Sequence, residues 1–111
     1  MPAIRVRRGG TLAWTEPQSL GSLEVSPGAT LVFGASPLTV RSDVDLDGVY
    51  IALDNGATAD GSWQTAIVVP SGCAITGAPV AASGVNVRIV EADGGFSLQV
   101  RKTFGFRMIF R

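Results

Sequence analysis

The chain has no histidine, a single cysteine and a single lysine. Without imidazole it lacks the side chain most often used as a general base and as a neutral metal ligand. One thiol, Cys73, supports neither an internal disulfide nor a cysteine cluster around zinc. With no histidine to activate it, Cys73 reads as a buried packing residue in Gly72-Cys-Ala-Ile75 rather than a nucleophile. Charge is sparse, 16% of residues, and balanced at nine cations to nine carboxylates, so the basic excess of a nucleic-acid binder is missing. No apolar run has the length of a membrane helix. Met1–Arg8 is basic with no apolar stretch behind it, unlike a secretory signal. Gly or Pro interrupts nearly every window long enough for a helix. The expectation is one soluble domain over 1–111, made in a reducing cytoplasm, with no catalysis and no cofactor.

What remains is alternation. Ile4-Arg-Val6-Arg, Val85-Asn-Val87-Arg-Ile89, Phe96-Ser-Leu98-Gln-Val100 and Phe104-Gly-Phe106-Arg-Met108 place apolar residues at every second position, the pattern of a half-buried strand. Turn dipeptides punctuate the strands: Gly9-Gly10, Pro27-Gly28, Asp47-Gly48, Asn55-Gly56, Asp60-Gly61, Ser71-Gly72 and Asp93-Gly94. Strands are predicted near 3–8, 11–15, 22–25, 29–34, 38–46, 49–53, 63–69, 73–76, 85–91, 96–103 and 104–110, some of them merging. The predicted fold is all-β, a β-sandwich or jelly-roll-like small barrel of about eight to ten short, mostly antiparallel strands. Val25-Ser-Pro-Gly28-Ala-Thr-Leu31 is echoed in Val69-Pro-Ser-Gly72-Cys-Ala-Ile75. Two irregular copies fall short of a solenoid, which needs three or more units, and read as shared strand-turn-strand chemistry.

Neutrality hides segregation. Arg5, Arg7 and Arg8 stand at one end and Arg101, Lys102, Arg107 and Arg111 at the other, while 9–100 holds all nine carboxylates with only Arg41 and Arg88. If the terminal strands lie close, as chain ends often do, the fold acquires a basic face over an acidic middle. Arginine outnumbers lysine eight to one, which suits interfaces or simply reflects codon usage. Phe104, Phe106 and Phe110 share a strand face interleaved with Arg107, and Trp14 precedes the loop-like Pro17-Gln-Ser. The candidate interface is therefore Arg5, Arg7, Arg8, Trp14, Arg101, Phe104, Phe106, Arg107 and Phe110, with Trp14 as an exposed anchor. Edge-strand arginines that only block aggregation are the plain alternative.

Asp43-Val-Asp45-Leu-Asp47-Gly48, with Asp54 at the twelfth position, resembles the calcium loop of EF-hand-type sites. That resemblance implies Asp43, Asp45, Asp47 and Asp54 as oxygen ligands. Against it, Val44 and Leu46 are apolar and no helix flanks the segment. A strand with Val40, Ser42, Val44 and Leu46 inward and the acids outward spreads the carboxylates about 7 Å apart in a row, and Asp47-Gly48 then turns a hairpin. No metal site is assigned. Glu16 with Glu24, or Asp54 with Asp60, carries little weight as a catalytic carboxylate pair.

In Ser26-Pro-Gly-Ala-Thr-Leu-Val-Phe33, Pro70-Ser-Gly-Cys-Ala-Ile-Thr-Gly77 and the arginine-rich ends, the chain resembles in style the small all-β accessory proteins of tailed-phage virions, the decoration or cement type. That resemblance implies a non-enzymatic virion component, forming a homo-oligomer (dimer or trimer) and clamping a larger assembly such as a major capsid protein. Neither nucleic acid nor membrane is an expected partner. A carbohydrate- or ligand-binding module stacking on Trp14 or Trp63, a tail or baseplate component, and a cytoplasmic protein stay open as alternatives.

Overall fold

The computed structural model of the chain describes residues 3–34, 36–54, 63–82, 84–92 and 94–102. Among them lie thirteen strands and no helix: β1 (Ala3–Val6), β2 (Thr11–Trp14), β3 (Gln18–Leu20), β4 (Ser22–Val25), β5 (Thr30–Phe33), β6 (Leu38–Val40), β7 (Val44–Asp45), β8 (Tyr50–Leu53), β9 (Gln64–Val69), β10 (Ile75–Thr76), β11 (Val80–Ala81), β12 (Val85–Ala92) and β13 (Gly95–Lys102). The all-β prediction holds.

From β1 to β8, every strand except β4 pairs in parallel with the strand three places on. β1 pairs with β4 and β7 with β10; β2, β5, β8 and β11 form one sheet; β3, β6 and β9 run parallel in another. The chain is a coil with three sides, a parallel β-helix. Thr11 lies beside Thr30, a step of 19 residues, and Gln18 beside Leu38, a step of 20. The next circuit is longer, Leu38 to Ile67 taking 29 residues, because the segment 54–63 is inserted between β8 and β9. On the first side β4 and β7 neighbour each other without ladder bonds. Among the described residues antiparallel pairing is confined to β9–β13 and β13–β12.

The expected sandwich or jelly roll of mostly antiparallel strands is therefore corrected, and so is the dismissal of a solenoid. Period-two alternation reports that one side of a strand is buried; it is silent on the direction of the neighbour. Parallel neighbours usually require long crossovers. Here two further sides of the coil serve as the crossover, so short turns and parallel ladders coexist.

Those turns sit above one another. Arg7-Arg8-Gly9-Gly10, Ser26-Pro27-Gly28-Ala29 and Leu46-Asp47-Gly48-Val49 each close with a backbone bond from the fourth N–H to the first carbonyl. The third residue has φ of 82°, 90° and 72° respectively, the left-handed value that a type II turn demands and that glycine adopts without strain. Gly9 N donates to Gly28 O (3.2 Å), Gly28 N to Gly48 O (2.9 Å) and Gly48 N to Ala78 O (3.2 Å). Gly9-Gly10, Pro27-Gly28 and Asp47-Gly48 are thus corners of successive coils rather than hairpin turns, whereas Asp93-Gly94 does stand between the two strands of a hairpin, β12–β13.

Inside, like stacks on like. Leu12, Leu31 and Ile51 share one register row, Trp14, Phe33 and Leu53 another, and Leu38, Ile67 and Leu98 a third. Leu31, Phe33, Ile51, Ile67 and Leu98 are fully buried; each such side chain removed from water contributes on the order of 2 kcal/mol. At the C-terminal end the β12–β13 hairpin closes the coil, with Val87, Ile89 and Phe96 packed on the core.

Candidate functional site

The two ends of the coil differ. β1, β2 and β3 are the outermost strands of their sheets, each with one partner among the described residues. In β3 the Gln18 N–H donates to Pro37 O, and Leu20 O accepts from the Arg41 N–H. Peptide groups alternate sides along a strand, so the N–H and C=O of Ser19 face away from β6, toward the open end. Core positions are less covered there: Ile4 and Leu12 are half-buried, whereas their register partners Leu23 and Leu31 are 3% and 1% exposed. Ile4, Leu12, Trp14, Glu16, Gln18 and Leu20 line a cleft of about 300 Å³ in this mouth.

Trp14 is placed differently from expectation. It is 7% exposed, its indole Nε1 donates to Ser36 O at 2.7 Å, and its ring meets Phe33 edge to face at 6.3 Å. The alternation Leu12-Ala-Trp14 assigns Trp14 to the interior, and the turn after it was the misleading cue. It is a wall of the mouth, not an exposed anchor.

Arg5, Arg7 and Arg8 belong to this first coil. Arg5 Nε lies 3.3 Å from Glu24 Oε2, with both side chains more than half exposed, an arrangement worth no more than about 1 kcal/mol. Among the described residues neither Arg7 nor Arg8 has a carboxylate within ion-pair distance. Arg101 is elsewhere. β13 lies beyond β6 and β9 from β3, about 14 Å away at the usual strand spacing. The terminal strands do not share an edge, so the single basic face expected from both ends is not formed by Arg5, Arg7, Arg8 and Arg101. Phe104, Phe106, Arg107 and Phe110 lie outside the described residues.

The aspartate row has a backbone role. Asp43 Oδ1 accepts from Ala74 N at 2.9 Å and Asp47 Oδ1 from Ala78 N at 3.3 Å, each reaching the next coil, and Asp45 Oδ1 accepts from Asp47 N at 3.0 Å. Val40, Val44 and Leu46 point inward and the three acids outward, as the strand reading required, although a corner separates β6 from β7. Among the described residues no group of three acidic or thiol side chains is placed to share one ion. Cys73 is half-buried and packs against the core beside the Pro70–Cys73 turn.

A second cluster, absent from the sequence expectation, lies on the outer side of the closing hairpin. The guanidinium carbons of Arg88 and Arg101 lie 4.1 and 4.7 Å from the Trp63 ring centroid. Arg88 Nε donates to Gln99 Oε1 at 2.7 Å. The only sequence signal was that Arg88 and Arg101 stand at outward positions of alternating strands; their convergence on Trp63 needs the β12–β13 register. No family model, no curated protein and no solved structure matches the chain.

Proposed function

We propose that the protein is a non-enzymatic assembly module that docks through its open first coil, in the manner of a virion decoration or cement protein. One observation carries this reading: among the described residues three parallel edge strands border a mouth of mixed apolar and polar lining at one end, while a hairpin closes the other. Stacked-repeat proteins ordinarily need caps at both ends to stay dispersed. A terminal coil whose strands have no further partner among the described residues offers backbone groups for strand addition and apolar side chains for a partner's contact. Arg7 and Arg8, in the same first coil, favour a partner with acidic groups around a β edge, such as a capsid subunit, and contribute orientation and encounter rate more than affinity. Self-association through the same mouth gives the dimer or trimer that the cement type implies.

The stacking-platform alternative has less support. Trp14 is buried, and the Trp63 ring is engaged by two guanidinium groups. A tail or baseplate component uses the same docking surface and differs only in which particle it coats.

Co-sedimentation with undecorated expanded phage heads, and separately with tails, tests the reading alongside sedimentation velocity of the protein alone. The expected result is binding to heads that Leu12→Gln weakens at least tenfold while the melting temperature falls only a few degrees. A strict monomer that binds neither particle overturns it.

A further inference from the structure

We propose that Arg88 and Arg101, stacked on Trp63, form a binding site for a tetrahedral oxyanion, a phosphate or sulfate group. The site is independent of the mouth: it lies on β12 and β13, at the far edge of the sheet that begins with β3.

Geometry makes the first part of the case. Both cationic carbons lie within 5 Å of one ring centroid, so they are at most 8.8 Å apart. Asn86 is opposite Arg101 and Arg88 opposite Gln99 in the antiparallel register, which puts all four on the outward side of adjacent strands. Arg88 is held by Gln99 through Nε, which leaves its two terminal amino groups available as donors. The guanidinium fork matches two oxygens of a tetrahedral anion.

Charge makes the second part. Among the described residues neither arginine has a carboxylate within ion-pair distance, although the stretch 9–100 carries every acidic residue of the chain. Two cations are thus gathered on one indole, and among the described residues neither has a carboxylate partner. The indole attracts cations through its quadrupole, but it does not cancel their mutual repulsion. An external anion does. Asn86 and Gln99, on the same outward side in the β12–β13 register, add amide donors.

Inorganic phosphate and inorganic sulfate are the probes, titrated at constant ionic strength against chloride. Nitrogen–proton correlation spectra follow the Arg88 and Arg101 Nε signals and the Trp63 indole signal, with the buried Trp14 indole as an internal control. Saturable shifts at low millimolar phosphate or sulfate are expected at Arg88, Arg101 and Trp63, and not in chloride. Arg88→Gln and Arg101→Gln should each weaken the midpoint at least tenfold, Arg88→Lys less, and Arg5→Gln not at all. Comparing phenyl phosphate with a sulfated disaccharide then identifies which ester the site prefers. Linear shifts equal to those in chloride, or saturation unchanged in the Arg88→Gln, Arg101→Gln double variant, overturn the proposal. Unaltered spectra elsewhere in the variants show that folding is not what changed.

Discussion

Gly77 shows how closely neighbouring coils approach. Its φ is 86°, and a Cβ built there collides with the backbone of Asp47 and with Asp45 Oδ1. Gly72 has a similar φ of 91° with open space around it. Substituting each by alanine separates conformational strain from steric conflict. Gly72→Ala should cost about 1–2 kcal/mol, the strain of a left-handed alanine. Gly77→Ala should cost clearly more, because backbone rather than a pliable side chain is in the way. Urea unfolding midpoints give both values, and equal costs would contradict the contact. In the interior, Leu31→Ala should destabilise by about 3 kcal/mol through lost burial and a cavity between Leu12 and Ile51. The aspartates illustrate what sequence patterns leave open. Spacing made Asp43, Asp45 and Asp47 look like ligands and alternation made them solvent-facing, but neither revealed that two of them accept backbone N–H groups 31 residues away.

Strands show the division between local and distant information most clearly. β2, β4, β5, β8, β9, β12 and β13 coincide with predicted segments within a residue, and β1 and β10 within two, because burial of one side writes itself into alternation. β3 and β11 went unseen: Gln18-Ser-Leu20 and Val80-Ala81 are too short, and too close to proline, to alternate. The single segment expected over 38–46 is β6 and β7 with a corner between them; burial alternates through Val40, Val44 and Leu46 regardless of the bend. Partner direction depends on residues a full coil distant, and was illegible. Proline substitution tests which edges are paired. Thr39→Pro, in β6 between β3 and β9, removes an interior ladder donor and should leave little soluble protein. Ser19→Pro, whose N–H faces the open side of β3, should fold with a modest loss of melting temperature yet lose binding to partner edges. Retained particle binding in that variant would move the docking surface elsewhere.

At the scale of the molecule, the asymmetry of the ends was not foreseeable from composition, because a cap and an edge strand have the same residue types. The charge segregation along the chain was legible, but its spatial meaning was not. A single basic face is conditional on the terminal strands lying close, and the winding carries Arg5 and Arg101 to different strands of different sheets. The closing hairpin covers Ile67 and Val69 through β13. A chain ending after Ala82 should therefore bind a hydrophobic dye and aggregate, where the full chain stays dispersed at equal concentration. Indistinguishable light scattering would mean that the hairpin is not a lid on the core.

The stacked glycine corners have one more implication. Since the corner of each circuit donates to the corner of the next, duplication of one circuit, such as residues 22–40, should add a rung without altering the cross-section. Height then grows by about 4.8 Å per rung, the ordinary spacing between strands. Kept in register, the molecule behaves as a gauge: its length is adjustable in fixed increments while the open mouth and the closed tip keep their own chemistry.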